Sequence, residues 1–156
     1  MNKYEKLLDK AYKAGIDVDE DFPFNGNISG LYVDGNIALS DKLDTSVEKG
    51  CIMVEELGHH YTTSGNITDM SKAENRKQEY QARLWAYNEH IGLKGLIAAY
   101  EHGCHNSYEI AEYLEVTEEF LQECICCYRE KYGVAATIDS YCIMFIPHLA
   151  IGKVLK

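Results

Sequence analysis

Proline is almost absent from this chain: two occur in 156 residues, beside a single tryptophan. So few prolines exclude a polyproline stalk or linker, and with 46% hydrophobic residues they exclude a disordered chain. Positive charge is scarce as well. Lys and Arg number 15 against 25 Asp and Glu, a formal net charge of −10. That balance repels phosphate backbones and anionic headgroups, so neither a nucleic acid nor a membrane is an expected partner. Long apolar runs are lacking: the longest, Tyr141–Ile151, holds Pro147 and His148 and is too short to span a bilayer. Met1–Lys13 is charged and helical in pattern, unlike a signal peptide, and a cytoplasmic protein is expected. The 6 cysteines are few for a disulfide scaffold of this length and read as reduced thiols. Cys124, Cys126 and Cys127 are the only cluster. With no second Cys or His pair at zinc-ribbon spacing, they read as core residues of a helix.

What is present suits one domain, or one domain with a short appendage. Asn2–Ala14 places Tyr4, Leu7, Leu8, Ala11 and Tyr12 on one helical face and ends at Gly15, a C-cap residue. An acidic loop with Asp17, Asp19, Glu20 and Asp21 follows. The clearest strand signal is Ile28–Leu39, where Asp34-Gly35 supplies a type I′ turn between two apolar runs. A third strand is expected from Phe24–Ile28. Leu43–Tyr61 is a helix capped by Asp44, Thr45 or Ser46, with a stripe of Val47, Cys51, Val54, Gly58 and Tyr61. After the polar loop Thr62–Lys72, Ala73–His90 is a second long helix with Tyr80, Leu84, Tyr87 and Ile91 on its stripe. Helix resumes at Lys94–Glu101, then at Tyr108–Leu114 and Glu118–Tyr132, the last capped by Thr117. Tyr141–Ile146 is a strand that pairs with Leu149–Leu155 or Val134–Ile138. The pair between Ser107 and Leu121 has helix-turn-helix spacing. Its second helix opens with Glu118, Glu119 and Glu123 where a DNA reader carries cations, so it reads as structural.

The chemistry concentrates in Val54-Glu55-Glu56-Leu57-Gly58-His59-His60. Residues four apart on a helix share a face, their Cβ atoms about 5–6 Å apart, so Glu55 and His59 can reach one ion. Glu56 sits about 100° further round. This is the geometry of the HExxH zinc motif, in which two ligands flank a general-base Glu. Here Glu55 replaces the first His, and a carboxylate is an acceptable zinc ligand. On the next helix Glu79 precedes Ala82 and Ala86 on one side. Opposite Gly58, these small residues would let the helices approach until Glu79 reaches the same ion. His60 and Glu74 are the alternative ligands. His90, His102, His105 and His148 lack partners at ligand spacing and read as surface or capped histidines.

With these residues in hand, the chain resembles the ImmA/IrrE family of metallopeptidases, in the short form of prophages and mobile elements. The likeness covers most of the chain: the hairpin with DG-N-I-A-L, EELGHH in the place of HELGH, and Glu79-Tyr80-Gln81-Ala82 similar to the family's E-x-x-A-N segment. It implies an α+β, mostly helical minimal zincin-like domain with a small antiparallel sheet or hairpin before the active-site helix. Residues 1–100 would form the peptidase core, and 101–156 a helical pair with a short β end packed on it as one compact unit. By position it implies Glu55, His59 and Glu79 as metal ligands and Glu56 as general base. Two departures stand out, Glu55 for His and Arg83 for Asn. The oxygen-rich ligand set could take Mn²⁺ or another divalent ion as well as Zn²⁺. The implied activity is site-specific cleavage of a phage or mobile-element repressor. The competing reading is a repressor-binding antirepressor or sensor with a degenerate metal site.

Overall fold

The computed structural model describes residues 1–63 and 71–154. The expected loop Thr62–Lys72 falls largely outside them. The described chain forms two compact units, residues 1–89 and 90–156. As expected, the architecture is α+β and mostly helical.

The first unit opens with helix α1 (Lys3–Lys13), fixed at its start by a capping box. Asn2 accepts from the Glu5 amide at 2.8 Å, and Glu5 accepts from the Asn2 amide at 3.1 Å. Tyr4, Leu7 and Ala11 are buried, whereas Tyr12 of the expected stripe is 82% exposed. Strand β1 (Asp17–Phe22) then corrects the expected acidic loop. It runs parallel to β3 (Asn36–Ser40), with Asp17 opposite Asn36 and Asp19 opposite Ala38. Its acidic side chains are mostly exposed, so no apolar alternation marks it and backbone pairing alone defines it. One of them is held from within: the Tyr4 hydroxyl donates to Glu20 at 2.5 Å.

Strand β2 (Gly30–Val33) pairs antiparallel with β3 as the expected hairpin, Val33 opposite Asn36. Both turn residues have positive φ, Asp34 at 45° and Gly35 at 81°, as a type I′ turn requires. The strand order β1-β3-β2 leaves β2 at an edge. The third strand is thus Asp17–Phe22 and not Phe24–Ile28, and it makes the sheet mixed instead of purely antiparallel.

Ile37 and Leu39, buried on alternate positions of β3, lie on the side of the sheet covered by helix α2 (Ser46–Thr62). Thr45 caps α2 by accepting from the Glu48 amide at 3.1 Å. Its buried face is shifted from the expected stripe: Val47 is half-buried and Tyr61 is 45% exposed, while Cys51, Val54 and Gly58 are buried and Met53 and Leu57 fully enclosed. Side chains of this size contribute about 1.5–3 kcal/mol each when removed from water, and this burial fixes how the motif helix is rolled. On helix α3 (Ala73–His90) the expected stripe holds in part: Tyr87 and the following Ile91 are buried, while Leu84 is half-buried and Tyr80 is 38% exposed, and Ala82 and Ala86 are buried instead. Small residues win because α3 meets α2 at Gly58, where an added Cβ would run into the backbone carbonyl of Ala82.

The second unit holds α4 (Gly92–His102), α5 (Ser107–Leu114) and α6 (Glu118–Tyr132), then β4 (Ala135–Ile138), β5 (Tyr141–Met144) and β6 (Ala150–Lys153). Strand β5 pairs with both β4 and β6, so the two alternatives for its partner are both realised. Thr117 caps α6 as expected, accepting from the Phe120 amide at 3.0 Å. Cys124 and Cys127 are buried on α6 with Phe120, Leu121 and Ile125, while Cys126 is exposed. His90 corrects another expectation: it is buried edge-on against Phe120. His102, His105 and His148 are exposed. Among the described residues, no helix is long and apolar enough to cross a membrane.

Candidate active site

The last turns of α2 and the middle of α3 bring two of the expected residues, His59 and Glu79, together. His59 Nε2 lies 3.2 Å from Glu79 Oε2. Glu79 Oε1 accepts from Arg83 Nε at 3.0 Å, one turn further along α3. The first contact follows from the close approach at Gly58, since His59 is its neighbour and Glu79 stands one turn before Ala82; the second is an i, i+4 pair within α3. Glu55 is half-buried one turn before His59 on α2. Its charge is felt by both Glu56 and Arg83.

Glu56 is the most perturbed group here. Protein surrounds most of its carboxyl, although the residue keeps some surface exposure. A Cβ placed on Gly30 of β2 would come within 3.3 Å of Glu56 Cγ, so the edge strand runs directly beside it. Burial is the main cause that pushes the carboxyl up to about 8, and the charges of Glu55 and Glu79 add to it. His59 is shifted the other way. Burial disfavours its cation, which outweighs the pull of Glu79, and Arg83 adds to the lowering. The shift favours the neutral imidazole, the form that ligates a metal. For Arg83, burial opposes the charge, but Glu79, then Tyr87 and Glu55, favour it and push its pKa up.

The alternatives are placed elsewhere. His60 Nδ1 is bonded to the Tyr32 hydroxyl at 2.8 Å, and that hydroxyl accepts from the Gly35 amide at 3.1 Å. This bridge ties the hairpin turn to α2. Glu74 is exposed in the first turn of α3. Tyr61 stacks on Trp85 with ring centroids 5.1 Å apart, and Lys10 Nζ lies over both rings. Neither the Tyr32 bridge nor this stack carries a sequence signal, because both join residues distant in the chain. The Glu79–Arg83 contact does carry one, its i, i+4 spacing.

A model of the IrrE N-terminal-like domain, Peptidase_M78, matches residues 11–125. The chain belongs to this family. Neither the curated proteins nor the solved structures give a match. Peptidases of the family are generally metal-dependent, and its model supports a peptidase here.

The donor set suits such an ion in part. Two donors about 2.1 Å from one zinc at a tetrahedral angle stand about 3.4 Å apart, close to the 3.2 Å between His59 Nε2 and Glu79 Oε2. A neutral imidazole and a carboxylate are also the right chemistry. Among the described residues, however, no group of three or more His, Cys, Asp or Glu side chains is arranged so that it could hold a metal ion.

Proposed function

We propose that this chain is a metal-dependent, site-specific endopeptidase, with Glu55, His59 and Glu79 as ligands and Glu56 as general base. The observation that carries the reading is the facing pair His59 Nε2 and Glu79 Oε2, with the buried Glu56 beside it. When bound, a Zn²⁺ or Mn²⁺ ion would supply Lewis acidity to polarise a scissile carbonyl.

The chain's own residues supply the rest. Glu56 takes the proton of the attacking water and returns it to the leaving amine. Strand β2 lies at the sheet edge and passes Glu56 at Gly30. It offers backbone groups to which an extended substrate segment adds as a strand. Two carboxylate ligands place more negative charge on the ion than one would and so weaken its Lewis acidity, which suits slow cleavage of one protein. In keeping with the family likeness, that protein is a repressor of a phage or mobile element. The experiment is elemental analysis of protein purified without chelator. One divalent ion per chain is expected, lost in both His59→Ala and Glu79→Ala; full metal content in both variants would refute the ligand set.

A second reading, a non-catalytic repressor-binding protein, draws support from the Arg83 contact on Glu79, which already gives that carboxylate a cation. In either case DNA is not the partner. The solvent face of α6 carries Glu118, Glu119, Glu123 and Glu130. Duplex binding at moderate salt should not exceed background in a gel-shift titration. Tight binding with a steep salt slope would show the opposite.

A further inference from the structure

We propose that Arg83 is the internal counter-cation of this site, holding Glu79 in the metal-free chain and opposing a divalent ion for the same carboxylate. The inference rests on the reading of Glu55, His59 and Glu79 as ligands and names what regulates them. Glu79 is gripped at both oxygens, Oε2 by His59 at 3.2 Å and Oε1 by Arg83 at 3.0 Å. Arg83 stands on the same helix as Glu79, four residues on, so the pair forms at little entropic cost and moves as one body.

The charges explain why a cation belongs there. Glu79 faces the His59 imidazole, and the charges of Glu55 and Glu79 both act on the buried Glu56, so the site gathers negative charge that a nearby cation offsets. Arg83 contacts Glu79 directly. An arginine keeps its charge at any accessible pH, so it offsets the cluster when no metal does.

The same charge works against a second cation. A guanidinium donating to Oε1 draws electron density from the carboxylate and repels an ion approaching Oε2. A neutral donor would orient Glu79 without that penalty. The Arg83 side chain is 55% exposed, which lets it swing into solvent as an ion enters and also screens its repulsion. The expected effect is thus about tenfold in affinity, not many decades.

Calorimetric titration of Mn²⁺ and of Zn²⁺ into the chelator-stripped full chain tests this, with Arg83→Gln, Arg83→Lys and His59→Ala beside the wild type. Arg83→Gln should bind both ions about tenfold tighter, and Arg83→Lys within a few-fold of wild type. Without metal, Arg83→Gln should melt at a lower temperature, because the carboxylates lose their counter-charge; Arg83→Lys should melt near wild type. Equal or weaker binding by Arg83→Gln overturns the proposal. If His59→Ala loses binding while Arg83→Gln matches wild type, the ligand reading stands and only the counter-cation fails. If His59→Ala binds as wild type does, or if no version takes up an ion, the ligand reading falls and takes this inference with it.

Discussion

Gly58→Ala should destabilise the protein by about 2–3 kcal/mol, against the usual preference for alanine in a helix. In a helix interior, Ala is favoured over Gly by about 0.8–1.0 kcal/mol. At Gly58 the added Cβ would collide with the Ala82 carbonyl oxygen and lie 3.1 Å from its carbon. The obstacle is backbone, so no rotamer change relieves it, and overpacking of this kind costs about 1–3 kcal/mol or somewhat more. The helices must then separate, which also parts His59 from Glu79. Gly95, inside α4, provides the contrast. Its added Cβ would meet Ile91 Cγ2 at 3.5 Å and Leu114 Cδ2 at 3.6 Å, ordinary van der Waals contact. Gly95→Ala should therefore stabilise by about 0.5–1 kcal/mol. Thermal melts of both variants decide the matter. A Gly58→Ala protein as stable as wild type would mean that the α2–α3 approach is not the tight contact described.

That contact also marks where the sequence was informative and where it was not. Asp34-Gly35 announces the hairpin because few residue pairs accept two positive φ angles, and Thr45 and Thr117 announce helix starts because their hydroxyls satisfy amides that the helix cannot. Gly58, Ala82 and Ala86 hint that α2 and α3 approach closely, and the structure places Glu79 against His59 there. Local periodicity nevertheless favoured Tyr80 and Leu84 as the buried side of α3. Bulk is a good guide to burial only where the neighbouring surface leaves room for it. Strand β1 was illegible for another reason. Its burial pattern is exposed at every position but Val18, so it owes its conformation to hydrogen bonds from β3, a partner distant in sequence. The roles of Glu55 and His60 separate on a similar point. Both lie in the motif, and only the long-range bond from Tyr32 shows that His60 Nδ1 is engaged by the hairpin.

Glu56→Gln is expected to reduce cleavage of the cognate protein by about 10²–10⁴-fold, the usual range for a general base, while leaving metal content unchanged. Gln keeps the shape and one acceptor oxygen but takes up no proton near pH 7. Partner binding should persist and become easier to observe, because the complex is no longer consumed. Mixing each version with candidate repressors and following fragments alongside metal content separates the readings. Equal cleavage by both would remove Glu56 from the mechanism, and strong binding without cleavage by either would favour the antirepressor. The same substitution has a signature in stability that needs no substrate. In the metal-free chain burial raises the Glu56 carboxyl from 4.5 to about 8, with Glu55 and Glu79 contributing. The folded state thus holds a proton that the unfolded chain releases. Its contribution is complete below about pH 4.5 and declines as pH rises, until it is lost once the folded group ionises near 8. Gln at this position does not ionise. The stability of Glu56→Gln relative to wild type should therefore climb between those pH values and level off above them, by an amount on the order of a few kcal/mol. Denaturant titrations of chelator-treated protein across this range would show the divergence. Parallel pH profiles for the two proteins would mean that the carboxyl is not enclosed as the structure has it, and that Glu56 lacks the environment on which its role as base depends.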